Sequence, residues 1–246
     1  MAARALHPAI VVLPLGDEQY EDGTLALFRL AYDKTWGRLN EFSHPTPGNH
    51  EYQTRNAAGY FDYFESQGVA VGARTEGWYS YNVGAWHFIA LNSNCAFIGG
   101  CGAASAQARW LAADLVANRQ KCSVAYMHHP FRSAGPNGDT AALQPLMTLL
   151  YVAGVDIVLS GHEHSYQRFE PMTGDGVADP QRGFRLFVVG TGGRDLTAFT
   201  RLAPLTAIRT NEHFGVMKIM MKDVSYEWAF TNTAGIVVDA GSGVCS

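Results

Sequence analysis

The sequence predicts an α/β fold with a mixed β-sheet. Short apolar runs rich in β-branched and aromatic residues alternate with segments of helical period through about the first two thirds of the chain. Beyond that point the apolar runs follow one another directly, which indicates consecutive strands. The 246 residues contain no internal repeat, low-complexity tract or linker, so we expect a single domain over residues 1–246.

The first elements of the chain flank two polar motifs. The apolar run at residues 9–15, closed by Gly16, is typical of a buried strand that presents Asp17 at its end. This run superficially resembles a short signal peptide, but it lacks a small-residue cleavage site, and cleavage would remove the element that presents Asp17. Apolar residues at helical spacing predict helices over residues 24–39 and 57–64.

The remaining elements alternate before the chain ends in strands. Gly84 separates two runs that predict a β-hairpin, and Pro145 is allowed in the first turn of a helix. In chain order, we predict strands at 78–82 and 86–92, a helix at 104–118, a strand at 123–127, a helix at 144–152, and strands at 156–160, 184–189, 214–221 and 225–230.

Composition and charge exclude several kinds of partner. The chain is 47% hydrophobic and 16% charged, which is typical of a globular protein low in charge. Its net charge of −4 indicates no basic surface for nucleic acid or for an anionic membrane. No apolar run approaches the roughly 20 residues that a membrane-spanning helix needs.

The four cysteines give a weak indication of the redox environment. Cys95 and Cys101 bracket a glycine-rich loop that can close into a small disulfide ring. A bridge between Cys122 and Cys245 is one of the remaining possibilities, because four cysteines allow three connectivities. The alternative is four buried thiols. The even count and the short loop favour an oxidising compartment.

Four short motifs rich in metal-ligating side chains follow or lie near predicted strands. They are Gly16-Asp17-Glu18-Gln19-Tyr20, Gly48-Asn49-His50-Glu51, Met127-His128-His129-Pro130 and Gly161-His162-Glu163-His164. Together they supply a carboxylate, a phenol, an amide and several imidazoles. That mixture suits two adjacent divalent or trivalent metal ions better than one structural zinc. One such motif alone is weak, and the prediction depends on four in order.

The order of these motifs resembles the calcineurin-like metallophosphoesterases, and within them the purple acid phosphatases. The family pattern runs GDxxY, GNH(D/E), VxxH and GHxH, and this chain carries all four with Ala125 in place of the valine. The resemblance extends from about Ile10 to Ser246. It implies a four-layer αββα sandwich with mixed β-sheets, in which the metal ions lie at strand ends between two sheets.

One block of the family pattern has no counterpart in this sequence. The family carries an acidic metal-binding segment before GDxxY, and residues 1–15 contain no acidic residue. We therefore expect the chain to be N-terminally truncated relative to the family, with one metal site short of a ligand. The resemblance also implies a secreted, extracellular protein, although this chain shows no signal peptide of its own.

The resemblance implies a ligand for each metal ion. Asp17 would bridge the two ions. The other ligands would be Asn49, His128 and His162 for one ion, and Tyr20 and His164 for the other. A tyrosinate ligand favours ferric iron, and the partner ion would be iron, zinc or manganese.

Several neighbouring residues receive less specific predictions. The resemblance makes His50 a phosphate-binding residue or general acid, with Glu51 as its orienting partner. Adjacent residues of a strand face opposite ways, so His129 either faces the pocket rim or packs behind it. Glu163 is either solvated or supports the ligands. The glycine-rich segment at residues 190–193 lacks phosphate-loop spacing and predicts a turn near the site.

The activity that the resemblance implies is hydrolysis of phosphate monoesters by metal-bound hydroxide. Asp17 and His50 are then the catalytic residues, and the partner is a small-molecule phosphate ester. Two alternatives remain open. The same site would serve a phosphodiesterase or nucleotidase, and the absent first block would suit a catalytically impaired, metal-binding extracellular module.

Overall fold

A computed structural model describes residues 10–246 as one layer of helices and two β-sheets. The α-helices are α1 (Leu25–Leu30), α2 (Ala58–Ser66), α3 (Ala106–Ala117) and α4 (Gln144–Val152). Short 3₁₀ helices occupy Tyr32–Lys34, Trp36–Phe42, Glu51–Gln53, Arg55–Ala57 and Ala141–Leu143. The strands are β1 (Tyr79–Val83), β2 (Trp86–Ala90), β3 (Cys122–Met127), β4 (Ile157–Ser160), β5 (Tyr166–Phe169), β6 (Arg185–Val189), β7 (Thr206–Thr210), β8 (Gly215–Met221), β9 (Ser225–Asn232) and β10 (Val237–Val244).

The larger sheet is mixed, as predicted. Its seven strands follow the order β1-β2-β3-β4-β6-β5-β7. The inner strands β2, β3, β4 and β6 are parallel, whereas β1, β5 and β7 join antiparallel. The second sheet is antiparallel, in the order β10-β9-β8. The parallel strands are buried on both faces, which explains their continuous apolar sequences.

Two hydrophobic cores flank the large sheet. All four α-helices contribute buried residues to the first core, where Phe64 and Ala125 are fully buried. The small sheet covers the opposite face through Trp228 and Phe230. Val216, which points outward from β8, is 51% exposed. Residues 10–246 therefore form a helix layer, a large sheet and a small sheet, three of the four layers that the family resemblance implies.

Two predicted elements differ in the structure. Residues 10–15 form a single β-bridge, Val12 to Ser43, in place of a buried strand, and residue 9 lies outside the described part of the chain. The predicted helix at 24–39 ends at Leu30 and continues as 3₁₀ turns. There the Thr35 hydroxyl donates to the carbonyl of Ala31 (3.0 Å), so a side chain competes for an acceptor that a longer helix needs.

Both disulfides are present. Cys95 is bonded to Cys101, and Cys122 is bonded to Cys245, so the predicted small ring and the second pairing are confirmed. None of the helices described between residues 10 and 246 has the length and apolar character needed to cross a bilayer.

Candidate metal centre

The four motifs meet at one edge of the large sheet. His128 follows the last residue of β3, and Gly161 follows the last residue of β4. These strands are parallel neighbours, so their carboxyl ends lie at the same edge. Loops that contain Asp17 and Asn49 approach this edge from the amino-terminal part of the chain.

His128 lies at the centre of the first group of predicted ligands. Its Nε2 atom is 3.0 Å from Asn49 Oδ1, 3.0 Å from His162 Nδ1 and 3.3 Å from Asp17 Oδ2. Its Nδ1 donates to the carbonyl of Leu15 (2.8 Å), which leaves Nε2 free to bind a cation. The side chain is 1% exposed. Four of the predicted ligands therefore converge on a buried point.

The second group shares Asp17 with the first. The Tyr20 hydroxyl donates to Asp17 Oδ2 (3.1 Å) and lies 3.4 Å from His164 Nε2. His164 is held by Asp195, whose Oδ1 is 2.7 Å from His164 Nδ1. Asp17 Oδ2 thus lies between His128 and Tyr20, where a carboxylate that bridges two metal ions would be.

Two motif glycines are required by close contacts. A Cβ atom on Gly16 would lie 2.5 Å from His128 Nδ1, and one on Gly48 would lie 2.2 Å from Asp17 Oδ1. Gly16 also has a φ of 86°, in the left-handed region that favours glycine. Asp17 (φ 56°) and His162 (φ 66°) occupy the same region without being glycine. Such backbone strain is common at functional sites.

The charges of the site differ from those of isolated side chains. Burial acts to raise the pKa of Asp17, but His128 and the backbone N–H of His50 outweigh it and hold that pKa well below its usual range. Burial and His128 lower the pKa of His162 to about 3, so this imidazole is neutral at physiological pH. Burial and Asp17 raise the pKa of Tyr20, so the phenol needs a nearby cation to ionise.

His50 lies at the mouth of the site. The prediction that Glu51 orients its ring is wrong. Its Nδ1 contacts the backbone carbonyl of Glu21, and its side chain is 25% exposed. Its Nε2 is 4.0 Å from Asp17 Oδ2. Glu51 does not touch this ring: it is fully buried and accepts the backbone N–H groups of Asp17 (2.9 Å) and Gly48 (2.7 Å). Burial and Asp17 raise the pKa of Glu51 to about 7.

His129 is half-buried beside the ligands, and Glu163 is packed inside the protein. His129 Nδ1 is 2.8 Å from Ser93 Oγ, and its ring centre is 4.4 Å from that of His162. One ring nitrogen from each of His128, His129 and His162 lies within 4.8 Å of the others. Glu163 is fully buried and accepts the backbone N–H of Gly138 (2.9 Å), so it supports the site instead of facing solvent.

A cavity of about 210 Å³ opens onto these side chains. Its lining includes Asp17, Asn49, His50, His162 and His164, together with Asn137 and Thr197. Sequence reasoning missed the last two residues and also Asp195. For Asp195 and Thr197 the signal was the glycine-rich segment at 190–193, for which a turn near the site was predicted.

The donor set fits two cations. Carboxylate, amide and phenol oxygens stand beside imidazole nitrogens, a combination that transition metals and ferric iron accept. Glu18 gives a second reason to expect cations here, because its two carboxylate oxygens are buried with no hydrogen-bond partner among residues 10–246. Burial and Glu51 raise its pKa well above the usual range. Positive charge in the site would offset this concentration of acidic groups.

Several curated relatives of this chain are acid phosphatases. Purple acid phosphatase 21 from Arabidopsis thaliana is 32% identical over 202 residues, which cover 75% of this chain and 44% of that protein. Acid phosphatase type 7 from Homo sapiens is 30% identical over 146 residues, covering 51% of this chain and 32% of that protein. The chain therefore spans less than half the length of these relatives.

Solved structures share the fold. Purple acid phosphatase PPD1 from yellow lupin (Lupinus luteus) seeds superposes with a TM-score of 0.74 at 18% identity, covering 95% of this chain and 46% of that one. GAP50, the anchor in the inner membrane complex of Plasmodium, has a TM-score of 0.66 at 13% identity, covering 96% of this chain and 79% of its own. The α/β metallophosphatase fold is thus established.

A family model provides the assignment. The model described as calcineurin-like phosphoesterase matches residues 3–166, which include all four motifs. Because this match covers more than half of the sequence, the chain belongs to the calcineurin-like phosphoesterase family.

Proposed function

We propose that the chain hydrolyses phosphate monoesters with two metal ions as cofactors. The observation that carries the proposal is the position of Asp17 Oδ2, which lies 3.3 Å from His128 Nε2 and 3.1 Å from the Tyr20 hydroxyl. One carboxylate oxygen thereby faces both groups of candidate ligands. Acid phosphatase relatives support the same reaction class.

Each candidate ligand has an assigned role. Asn49, His128 and His162 would hold one ion, Tyr20 and His164 would hold the other, and Asp17 would serve both. When bound, the two ions supply Lewis acidity toward the phosphoryl oxygens and lower the pKa of the attacking water. Tyrosinate at Tyr20 favours ferric iron, with iron, zinc or manganese as its partner.

The surrounding residues orient the ligands and the substrate. Leu15 fixes the ring of His128, and Asp195 fixes that of His164. His50 lines the cavity and directs Nε2 inward, because its Nδ1 is occupied by the carbonyl of Glu21. From that position it protonates the leaving group or binds the phosphoryl oxygens.

We also propose that the protein works outside the cell, as one catalytic domain over residues 1–246. Two disulfide bonds support an oxidising environment, because thiols stay reduced in the cytosol.

The small polar cavity suits a small phosphate ester as substrate.

The test combines metal analysis with a paired substrate assay. Purified protein is expected to contain two metal ions per chain, iron among them, and to hydrolyse p-nitrophenyl phosphate faster than bis-p-nitrophenyl phosphate. Asp17→Asn should lose both metal and activity. Faster hydrolysis of the diester would favour a phosphodiesterase. Two bound ions without turnover of either ester would identify a metal-binding module.

A further inference from the structure

We propose that Glu51 is a positioning residue that holds the Asp17 and Asn49 loops in the geometry that the metal ions require. This inference rests on the proposed function. Glu51 is fully buried, and its Oε2 accepts two backbone N–H groups, from Gly48 at 2.7 Å and from Asp17 at 2.9 Å. Its Oε1 accepts a third, from Gln19 at 3.3 Å. One carboxylate therefore ties together two loops that carry predicted ligands.

The connection between the two loops is reciprocal. Glu51 accepts the backbone N–H of Asp17, and Asp17 Oδ1 accepts the backbone N–H of His50 at 2.9 Å. Each loop thus binds the backbone of the other through a carboxylate. Because Oδ1 of Asp17 is occupied in this way, Oδ2 is the oxygen that faces Tyr20 and His128.

The arrangement tolerates little adjustment. Asp17 has a φ of 56°, in the left-handed region that aspartate adopts more readily than most non-glycine residues but that still costs free energy. Gly48 is so close that an added Cβ would lie 2.3 Å from the backbone nitrogen of Asp17. Gly23 approaches from another side, where an added Cβ would lie 2.6 Å from the Cα of Glu51. We infer that the carboxylate of Glu51 is what keeps Asp17 in this strained conformation.

Loss of one acceptor oxygen would weaken the attachment of the Asp17 loop to residue 51. In Glu51→Gln the amide oxygen can still accept the backbone N–H groups of Asp17 and Gly48. The amide NH₂ then faces the backbone N–H of Gln19, so two donors oppose each other and that hydrogen bond is lost. Groups that orient metal ligands typically change metal affinity or activity 10–100-fold when mutated, so we expect about that loss of affinity.

A matched control separates positioning from general stability. Asp156 is also a buried carboxylate that accepts two backbone N–H groups, from Ser123 (2.8 Å) and Ser246 (2.8 Å). It precedes β4, whereas the metal site follows the other end of that strand. D156N therefore removes a similar set of hydrogen bonds far from the ligands.

The experiment measures metal affinity independently of catalysis. Zinc-loaded wild-type, E51Q and D156N proteins are titrated with a competing chelator below their unfolding temperatures, and bound Zn²⁺ is determined. We expect E51Q to release Zn²⁺ at about 10–100-fold lower chelator activity while D156N behaves as wild type. Where E51Q does not accumulate in folded form, E51D takes its place, because it keeps both oxygens but withdraws them by one methylene, and a smaller loss in the same direction is expected.

The outcomes distinguish this inference from the proposed function. A wild-type protein that retains neither Zn²⁺ nor iron after loading overturns the proposed function and the role of Glu51 with it, and one that retains only iron is titrated as the iron-loaded protein. A wild-type protein that holds Zn²⁺ while E51Q and D156N release it equally overturns the role of Glu51 alone.

Discussion

His128 and His164 each bind a supporting oxygen with one ring nitrogen and direct the other into the site. The supporting oxygen is a backbone carbonyl for His128 (Leu15, 2.8 Å) and a carboxylate for His164 (Asp195, 2.7 Å). Such partners select the tautomer and make the free nitrogen a better ligand. The Leu15 carbonyl is part of the main chain, so no substitution removes it. Asp195 is therefore the supporting group whose effect on its histidine can be tested by mutation.

Replacement of Asp195 by asparagine should weaken the site. The variant keeps the shape of the side chain but loses the charge that stabilises the Nδ1–H tautomer of His164. We expect metal affinity or kcat to fall toward the lower end of the 10–100-fold range, because Asp195 is 60% exposed. Elemental analysis together with steady-state kinetics measures both. D175N, which changes a carboxylate that binds Gln144, is the control, and an equal effect in both variants would contradict the prediction.

Removal of the imidazole of His50 should affect catalysis without affecting metal content. His50 binds the carbonyl of Glu21 and is assigned no metal ion, so His50→Ala should retain the metal ions. If His50 acts as a general acid, kcat should fall by about 10²–10⁴. Metal analysis and kcat are measured on the same preparation. Full activity in the alanine variant would rule out this role.

At the scale of elements, one buried carboxylate joins the two sheets. Asp239 on β10 accepts two hydrogen bonds from Arg168 on β5, at 2.8 and 3.0 Å. Tyr166 (2.6 Å) and Trp228 (3.2 Å) donate to the same carboxylate. Burial acts to raise the pKa of Asp239, but Arg168 and Tyr166 outweigh it and hold that pKa below its usual value.

Asp239→Asn should destabilise the protein in a pH-dependent way. Removal of one partner from a buried ion pair costs about 3–5 kcal/mol of unfolding free energy, because the other charge is left without its partner. The folded-state pKa lies below the unfolded value of 3.8, so the carboxylate stabilises the fold above that pH and loses its effect as pH falls through the folded pKa. The difference between wild type and variant should therefore shrink with acidification.

Urea unfolding of wild type and D239N at pH 6 and near pH 3 measures this difference. Asp62→Asn is the control, since Asp62 pairs with Arg74 at the surface and is 43% exposed. Exposed ion pairs contribute about 0–1 kcal/mol to the free energy of unfolding. The prediction is contradicted if D239N and D62N lose the same stability, or if the D239N effect grows at low pH.

The parallel strands of the large sheet were predictable from the sequence, whereas β5, β7 and β10 were not. The parallel strands are continuous apolar runs, and α4 was predicted with its observed bounds of 144–152. In contrast, β10 contains Gly241 and Gly243, which resemble a loop. An added Cβ at Gly241 would lie 2.3 Å from the ring of Trp228, so glycine is required there by tertiary packing that local sequence does not reveal.

The residues of the site were also predictable only in part. Ligand-type residues such as His128 and His162 follow apolar strands, so sequence alone indicates that they meet. Asn137, Thr197 and Asp195 lie on loops after β3 and β6, where no periodicity marks them. The prediction for Glu51 was wrong because a short motif does not reveal whether a carboxylate in it faces a side chain or the backbone of another loop.

At the scale of the whole molecule, the predicted ligands span residues 17–164, so the site assembles only when loops from the amino-terminal part of the chain meet the ends of the paired strands β3 and β4. The Cys122–Cys245 disulfide joins the first residue of β3 to the residue after β10 and thereby links the two sheets. It closes a loop of 123 residues, whereas Cys95–Cys101 closes one of 6.

Loss of the two disulfides should therefore have unequal effects. A chain-entropy estimate gives about 5 kcal/mol for the long loop and about 2 kcal/mol for the short one at 25 °C. Unfolding free energies of a Cys122→Ser/Cys245→Ser double variant and a Cys95→Ser/Cys101→Ser double variant, measured with urea, should show the larger loss in the first. The short ring follows β2 and lies near Ser93, which contacts His129, so its loss should act on the site more than on the fold. Equal losses of unfolding free energy would mean that strain or residual denatured-state structure, not loop length, sets the contribution of each bond.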